Sequence, residues 1–476
     1  MFKRYNFINS KKTFAISREE VMTASPAFAY LEHNHDRFQA ELIELLRIPS
    51  ISRDPAYKED VDKAAHWLAD KLVSMGLDNM EILPTAGHSV VYGEWLNGGK
   101  SAPTVLIYGH YDVQSPKPLE DWESPPFEPA IRNDNLYGRG ASDMKGQAMA
   151  AVNVVEAIIR TEDLPINIKF LIEGEEEIGS KHLNDFLAAY REKLACDFSL
   201  NTDAGGMPDA ETPSICYGLR GGAGFLLQVF GPQHDLHSGE YGGVVENPIH
   251  VLSKIIAGLH DEYGHVTLPG FYDRVREIDE EEHAELAKLP FDEAFLLKHS
   301  GAPALWGEPG FVPAERIGAR PTMDVLHFEA GQPKSAIPAR AEALISFRLV
   351  PDQNPAEVEM QFRGYLEKNL PPTVTWQLER QAGGPAIITD RKMPAVRAMR
   401  LALETAFGKA PIFQRAGGGI GAVLMLKNTL GIDSVLTGFS LYDDNFHGPN
   451  EKLHLPTWKK GMTALVHFFH HLVDQS

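Results

Sequence analysis

His110 and Asp112 stand two residues apart at the end of VLIYGHYDV, a run that opens with four apolar residues. In an extended chain their side chains point to the same side. A carboxylate so placed orients an imidazole and fixes its tautomer, the common support of a metal-bound histidine. Asp143 precedes MKGQAMAAVNVVEAIIR, a helical pattern, and negative charge is favoured at a helix N-terminus. Glu175, Glu176 and Glu177 follow the apolar run INIKFLIEG, Asp203 ends DFSLNTDAG, and His447 lies in DDNFHGPNEKL. Singly, each has an ordinary reading: a structural histidine, a solvated charge run, a turn residue. Together, two imidazoles and several carboxylates form a nitrogen–oxygen donor set that suits zinc, manganese or cobalt. Five ligands with one shared carboxylate would hold two ions and leave positions open for water and substrate. A spare neighbouring carboxylate would then act as general base.

These residues require a sheet to gather them. Phe38, Leu42, Leu45 and Leu46 fall at helical spacing, with Pro49 ending the helix. DVDKAAHWLADKLVSMG reads as a second helix with Gly76 as its C-cap. Short strands at MEILP and HSVVYGEWL follow, then TVLIYGH, a helix from about 145 to 160, the strand INIKFLIEG, a helix at about 181–192, and the strand DFSLNTDAG. Strands alternating with helices predict a mostly parallel α/β sheet, and three of these strands deliver His, Asp or Glu at their carboxyl ends. The order then changes to βαββαβ, with clean alternation at Ala343, Ile345, Phe347 and Leu349, as expected of a half-exposed antiparallel sheet. The expected division is an extension without ordered structure over 1–29, a catalytic domain over 30–218 and 386–476, and an inserted α+β lid and dimerisation domain over 219–385.

Composition excludes several alternatives. The 476 residues include 45 Lys plus Arg and 65 Asp plus Glu, a net charge of −20. That balance opposes nucleic acid or an anionic membrane as a main partner. No apolar run approaches the ~20 residues of a spanning helix. Two cysteines, Cys196 and Cys216, cannot build a disulfide framework, and they lack metal-type spacing, so both read as buried apolar residues in a reducing, cytoplasmic setting. RAGGGIGA (415–422) lacks the G-x-G-x-x-G spacing of a dinucleotide turn. No G-x-S-x-G is present, so a serine nucleophile has no support. His470 and His471 read as surface residues of a last helix.

Eight ordered motifs carry a resemblance: GHYDV, Asp121–Phe127, LYGRGASDMKG, EGEEEIGS, CYGLRG, DLHSGEYGG, IPARAEALISFRLVP and FHGPNEKL. Together they resemble the di-metal glutamate carboxypeptidase/aminoacylase family, and within it the cytosolic non-specific dipeptidase and carnosinase branch. The resemblance implies that His110 and Asp203 hold one divalent ion, Glu177 and His447 a second, and that Asp143 bridges them. It implies zinc first, with manganese or cobalt as alternatives. Asp112 would orient His110, and Glu176 would be the general base. The peptide after Asp143 is often cis in this family. His237 would stabilise the oxyanion in the site of a partner subunit, which makes the expected assembly a homodimer. Arg348 would grip the substrate carboxylate, as a planar guanidinium does better than an ammonium. The glycine-rich turn with Gly418 and Gly419 would help it. The implied substrate is a small peptide.

The sequence departs from the branch in two places, the glycine-rich turn and the residue after Glu177. Gly419 and Gly421 stand where animal dipeptidases carry a Ser and a Pro, and Ile178 replaces a small polar residue. Neither touches a ligand or the base, so the expectation is firmer for the reaction than for its substrate. N-acyl amino acid hydrolysis, carboxypeptidase action and a non-catalytic binding role stand as alternatives.

Overall fold

In the computed structural model, residues 25–474 apart from Gly205 are described. The extension expected over 1–29 therefore lies mostly outside them, but its end does not. A helix spans Pro26–His33, capped by the Ser25 hydroxyl accepting from the Ala27 amide, so order begins ahead of Tyr30.

The helices His35–Leu46 and Lys58–Met75 follow, the second ending at Gly76 with φ 98°. A left-handed residue there is what glycine alone adopts at little cost. The strands are then β1 (Glu81–Leu83), β2 (Val90–Trp95), β3 (Thr104–His110), β4 (Asn167–Glu173), β5 (Phe198–Asn201) and β6 (Ser214–Leu219). A second group follows: β7 (Gly221–Phe230), β8 (Thr322–Ala330), β9 (Arg340–Leu349) and β10 (Thr375–Gly384). The chain ends with β11 (Ile387–Ile388), β12 (Ile412–Ala416), β13 (Ser434–Thr437) and the helix Leu455–Asp474.

The large sheet has the order β1-β2-β4-β3-β5-β13-β6-β11, with β12 also on β6. Its centre, β4-β3-β5-β13, is parallel, and the outer pairings β1-β2, β2-β4, β6-β13 and β6-β11 are antiparallel. β4 is buried along its whole length, as a strand covered on both faces must be. The helices Lys145–Thr161 and Leu455–Asp474 pack together against it and carry much of the main core.

The second sheet, β8-β9-β7-β10, is antiparallel. β7 alternates buried and half-buried residues along its ten positions, the pattern of a sheet with one covered face. The helices Pro248–Ala257 and Pro355–Asn369 cover that face, around Phe225, Phe347 and Phe362. Truncating Phe347 to Ala would cost about 3–5 kcal/mol.

Local differences from expectation have local causes. The helix expected at about 181–192 is only Leu183–Ala189, because a 3-10 turn at Glu176–Ile178 and the left-handed Gly179 and Ser180 occupy its approach. Helix 421–430 changes from α to π hydrogen bonding at Leu426. Cys216 is buried and Cys196 half-buried, both free. His470 and His471 are half-buried rather than on the surface, and His470 lies 2.8 Å from Glu162. No helix among the described residues is long and apolar enough to cross a membrane.

Candidate metal centre

The carboxyl ends of β3, β4 and β5 meet the loop after β13, and the chemistry collects there. His110 closes β3 and is fully buried. Its Nδ1 lies 3.1 Å from the Asp112 carbonyl and 3.4 Å from Asp112 Oδ1. Its Nε2 makes no hydrogen bond of good geometry and faces Asp143 Oδ1 at 3.2 Å and Asp203 Oδ2 at 3.5 Å. The other oxygen of Asp143 is 2.9 Å from His447 Nε2, which is 3.3 Å from Glu177 Oε2. His110, Asp143 and Asp203 thus form one group of converging ligand atoms, and Asp143, Glu177 and His447 another, with Asp143 common to both.

Asp112 does more than face His110. Its carboxylate accepts from the Ser52 hydroxyl at 2.6 Å and from the amides of Glu176 and Glu177 at 3.2 and 3.1 Å. One buried carboxylate therefore fixes the orientation of His110 and the turn that carries Glu176 and Glu177. The left-handed Gly179, φ 88°, ends that turn. Gln114 donates its amide to Glu177 Oε1 at 3.1 Å and leaves Oε2 for the centre.

The electrostatics follow from crowding acids out of water. Burial, reinforced by the charge of Asp143, lifts the Asp203 carboxyl to about 6. Burial lifts Glu176 to about 8, the nearby His110 offsetting part of the repulsion from Asp203, Asp143 and Glu177. Burial alone would raise Asp143 too, but the His110 and His447 imidazoles against its two oxygens hold it well below the usual range. Hydrogen bonds to Asp143 and Glu177 lift His447 to about 10. The residues fit divalent cations: a buried imidazole nitrogen without a well-formed hydrogen bond aims into a cluster of three acids, Asp143, Asp203 and Glu177, and the donors are nitrogen and oxygen.

The sequence reading left two supports unassigned. Glu451 and Arg139 are buried and paired at 2.7 Å. Glu451 accepts from the amides of Gly140, Ser142 and Asp143 at 2.9, 2.9 and 3.0 Å, so it holds the loop that presents Asp143. Arg139 donates to the carbonyls of His447 and Gly448 at 2.9 and 3.0 Å. That fixes His447, which sits at φ 58°, a backbone region few non-glycine residues occupy. Both residues lie in motifs quoted above, LYGRGASDMKG and FHGPNEKL. An Arg and a Glu in the two ligand-bearing loops was the available signal. Glu175 points away from the centre: it lies 2.8 Å from His182 Nδ1 and accepts from the His88 amide at 3.2 Å. The Asp143–Met144 peptide is cis.

The remaining candidates lie apart from these two groups. Arg348 is exposed and lines a cavity of about 520 Å³ together with Arg220, Gly179 and Gly419. Gly418 is exposed and not part of that lining. His237 is exposed, and its Nδ1 accepts locally from the Gly239 amide. A third convergence, His327, Glu329 and Glu342, lies on the open face of the small sheet, where Gln228 already donates to Glu342.

The model of peptidase family M20/M25/M40 matches residues 106–471. Human beta-Ala-His dipeptidase is 30% identical over 478 residues, 93% of this chain and 91% of that protein. A Cys-Gly metallodipeptidase of Candida albicans is 28% identical over 95% of this chain and 98% of the relative. Among solved structures, an M20 metallo-carboxypeptidase from Sulfolobus solfataricus superposes with a TM-score of 0.81 at 32% identity, covering 92% of this chain and 99% of its own. Human carnosine dipeptidase 1 gives 0.78 at 27% identity, covering 94% and 98%. Similarity of that breadth, over a chain that gathers paired imidazole–carboxylate groups around one aspartate, makes this protein a metallopeptidase and a member of peptidase family M20/M25/M40.

Proposed function

We propose that the chain hydrolyses dipeptides with a free carboxylate, using two divalent ions per subunit, zinc before manganese or cobalt. The observation that carries this reading is Asp143 shared between the two ligand groups, with a different imidazole on each of its oxygens. His110 and Asp203 would hold one ion and Glu177 and His447 the other. Bound there, the ions would polarise the scissile carbonyl and lower the pKa of the attacking water. Glu176, next to Glu177 on the same turn and outside both ligand groups, takes the proton from that water and delivers it to the leaving amine. Asp112 keeps His110 and the Glu176–Glu177 turn in register. Arg348 and the turn at Gly418 and Gly419 hold the substrate carboxylate.

The proposed assembly is a cytoplasmic homodimer in which His237 of each chain serves the partner's site. β8 supports it. This edge strand of the small sheet leaves Val325, Leu326 and Phe328 37%, 64% and 43% exposed, and an apolar open edge invites a second strand. Leu326→Lys should shift sedimentation from dimer to monomer and lower turnover with it; an active monomer would refute His237 acting across the interface. The division into domains at 30–218, 219–385 and 386–476 is part of the same reading.

The decisive test uses metal-stripped protein. Adding Zn²⁺ or Mn²⁺ back should restore Ala-Gly hydrolysis and saturate at about two ions per chain. Cleavage of N-acetylated amino acids with dipeptides untouched would replace the dipeptidase reading with an N-acyl amino acid hydrolase.

A further inference from the structure

The cleft between the large sheet and the small sheet is larger and more apolar than a carboxylate alone requires. Its volume of about 520 Å³ falls in the ~300–1,000 Å³ range of pockets that enclose whole small ligands. Gly179, which ends the turn that carries Glu176 and Glu177, is part of its lining. Leu219, Ile387, Ile420, Leu424 and Met425 form an apolar wall. Glycine makes that wall accessible: a Cβ at Gly384 would stand 2.3 Å from Leu424 Cδ2, so only glycine lets Leu424 lie there. At Gly421 a Cβ would meet nothing nearer than Met425 Cε at 4.0 Å, which marks open space at the mouth of the pocket.

Two arginines face this space. Arg220 gives Nε to the Gly417 carbonyl at 2.8 Å and Nη1 to the Thr322 hydroxyl at 3.2 Å and the Arg320 carbonyl at 3.4 Å, all uncharged acceptors. Burial, and then the charge of Arg348, lower its pKa to about 10. Two guanidinium groups near one another, each without an ion-pair partner within 4.0 Å among the described residues, leave a place for an anion.

We propose that this cleft selects peptides whose carboxyl-terminal residue carries a bulky apolar side chain, with Arg220 joining Arg348 on its carboxylate. The inference rests on the dipeptidase reading above and adds the substrate class. The apolar wall takes the side chain out of water, the arginines fix the carboxylate, and the scissile bond is held toward Glu176.

The test is kcat/KM of the metal-loaded enzyme on Ala-Gly, Ala-Leu and Ala-Phe. Ala-Leu and Ala-Phe should exceed Ala-Gly by about 10-fold or more, the discrimination an apolar pocket gives. Equal rates, or faster Ala-Gly, overturn the side-chain assignment while leaving the dipeptidase reading intact. No turnover of any of the three overturns that reading and this one with it. Gly421→Leu, which fills the mouth of the pocket, should cut the Ala-Leu to Ala-Gly ratio about 10-fold; an unchanged ratio overturns the placement of the side chain. Arg220→Gln should raise KM for Ala-Leu about 10-fold and leave kcat/KM for the amidated Ala-Leu-NH₂ near its wild-type value. A parallel loss on both peptides would reduce Arg220 to a structural part of the wall.

Discussion

At the carboxyl end of the large sheet, His110 is fully buried among Asp112, Asp143 and Asp203. Where the helix Leu455–Asp474 meets the helix Pro26–His33, His467 is 6% exposed, its ring 4.8 Å from that of Phe28, with His471 and His470 as neighbours. Burial disfavours the imidazolium in both places. At the first, the carboxylates of Asp112, Asp143 and Asp203 facing the ring overcome it and raise the His110 pKa well above its ordinary value. At the second nothing does: burial, then repulsion from His471 and His470, lower His467 to about 4. The lesson is that burial sets a common cost and the neighbouring carboxylates decide its outcome. A region rich in buried acid is built to hold positive charge, and a region of imidazole against aromatic carbon is built to exclude it.

Removing the acid that does chemistry should give the largest effect. Glu176→Gln keeps shape and hydrogen-bonding capacity but cannot accept the proton, so kcat should fall by about 10²–10⁴-fold. Metal content per chain should stay at the wild-type value, because Glu176 belongs to neither ligand group. Retained turnover would remove Glu176 from the mechanism; lost metal would make it a ligand instead.

A smaller effect probes the acids behind the ligands. Glu451→Gln leaves every ligand in place but weakens the grip on Arg139 and on the amides of Gly140, Ser142 and Asp143. Metal affinity, measured against a competing chelator, should drop about 10–100-fold. His471→Ala, in the second imidazole cluster, should leave that affinity unchanged. Equal losses in the two variants would mean that metal affinity reports global stability, and the contrast between the regions would disappear.

Much of this was legible in the sequence, for physical reasons that differ by residue. The period-two alternation of β9 and the continuous apolar runs of β3 and β4 predict a half-covered sheet and buried strands in the other, and both are found. The strand ends predict where the acids gather, since a parallel sheet puts its carboxyl ends on one edge. The pairing of the supports was not legible. Glu451 and Arg139 are separated by 312 positions and meet only because both ligand loops fold over the same edge. Arg220 carries no spacing signal, because what defines it is the uncharged company of its guanidinium. The shortened helix at Leu183–Ala189 follows from Ser180, which turns left-handed and gives its hydroxyl to Glu173 at 2.8 Å, a tertiary contact that periodicity cannot anticipate.

The smallest effect tests the second cluster on its own terms. His467 has a folded pKa of about 4 against about 6.5 in an unfolded chain. Between those values the unfolded state binds a proton that the folded state does not, so the contribution is complete above pH 6.5 and is lost as pH falls toward 4. His470 and His471 act on this ring, with Asp474 acting on His471 and Glu162 paired with His470, while Glu32, paired with Lys459, and His35 line the same cavity. None of these places a carboxylate on His467 itself. His467→Gln removes the titration, so the stability difference between pH 7 and pH 5 should shrink by about 1 kcal/mol relative to wild type, after allowance for solvent screening. Thermal unfolding at the two pH values reads it directly. If the two proteins lose stability in parallel, His467 already finds a partner for its proton in the folded state, and its neighbourhood is closer in kind to that of His110 than the packing of Phe28 against it implies.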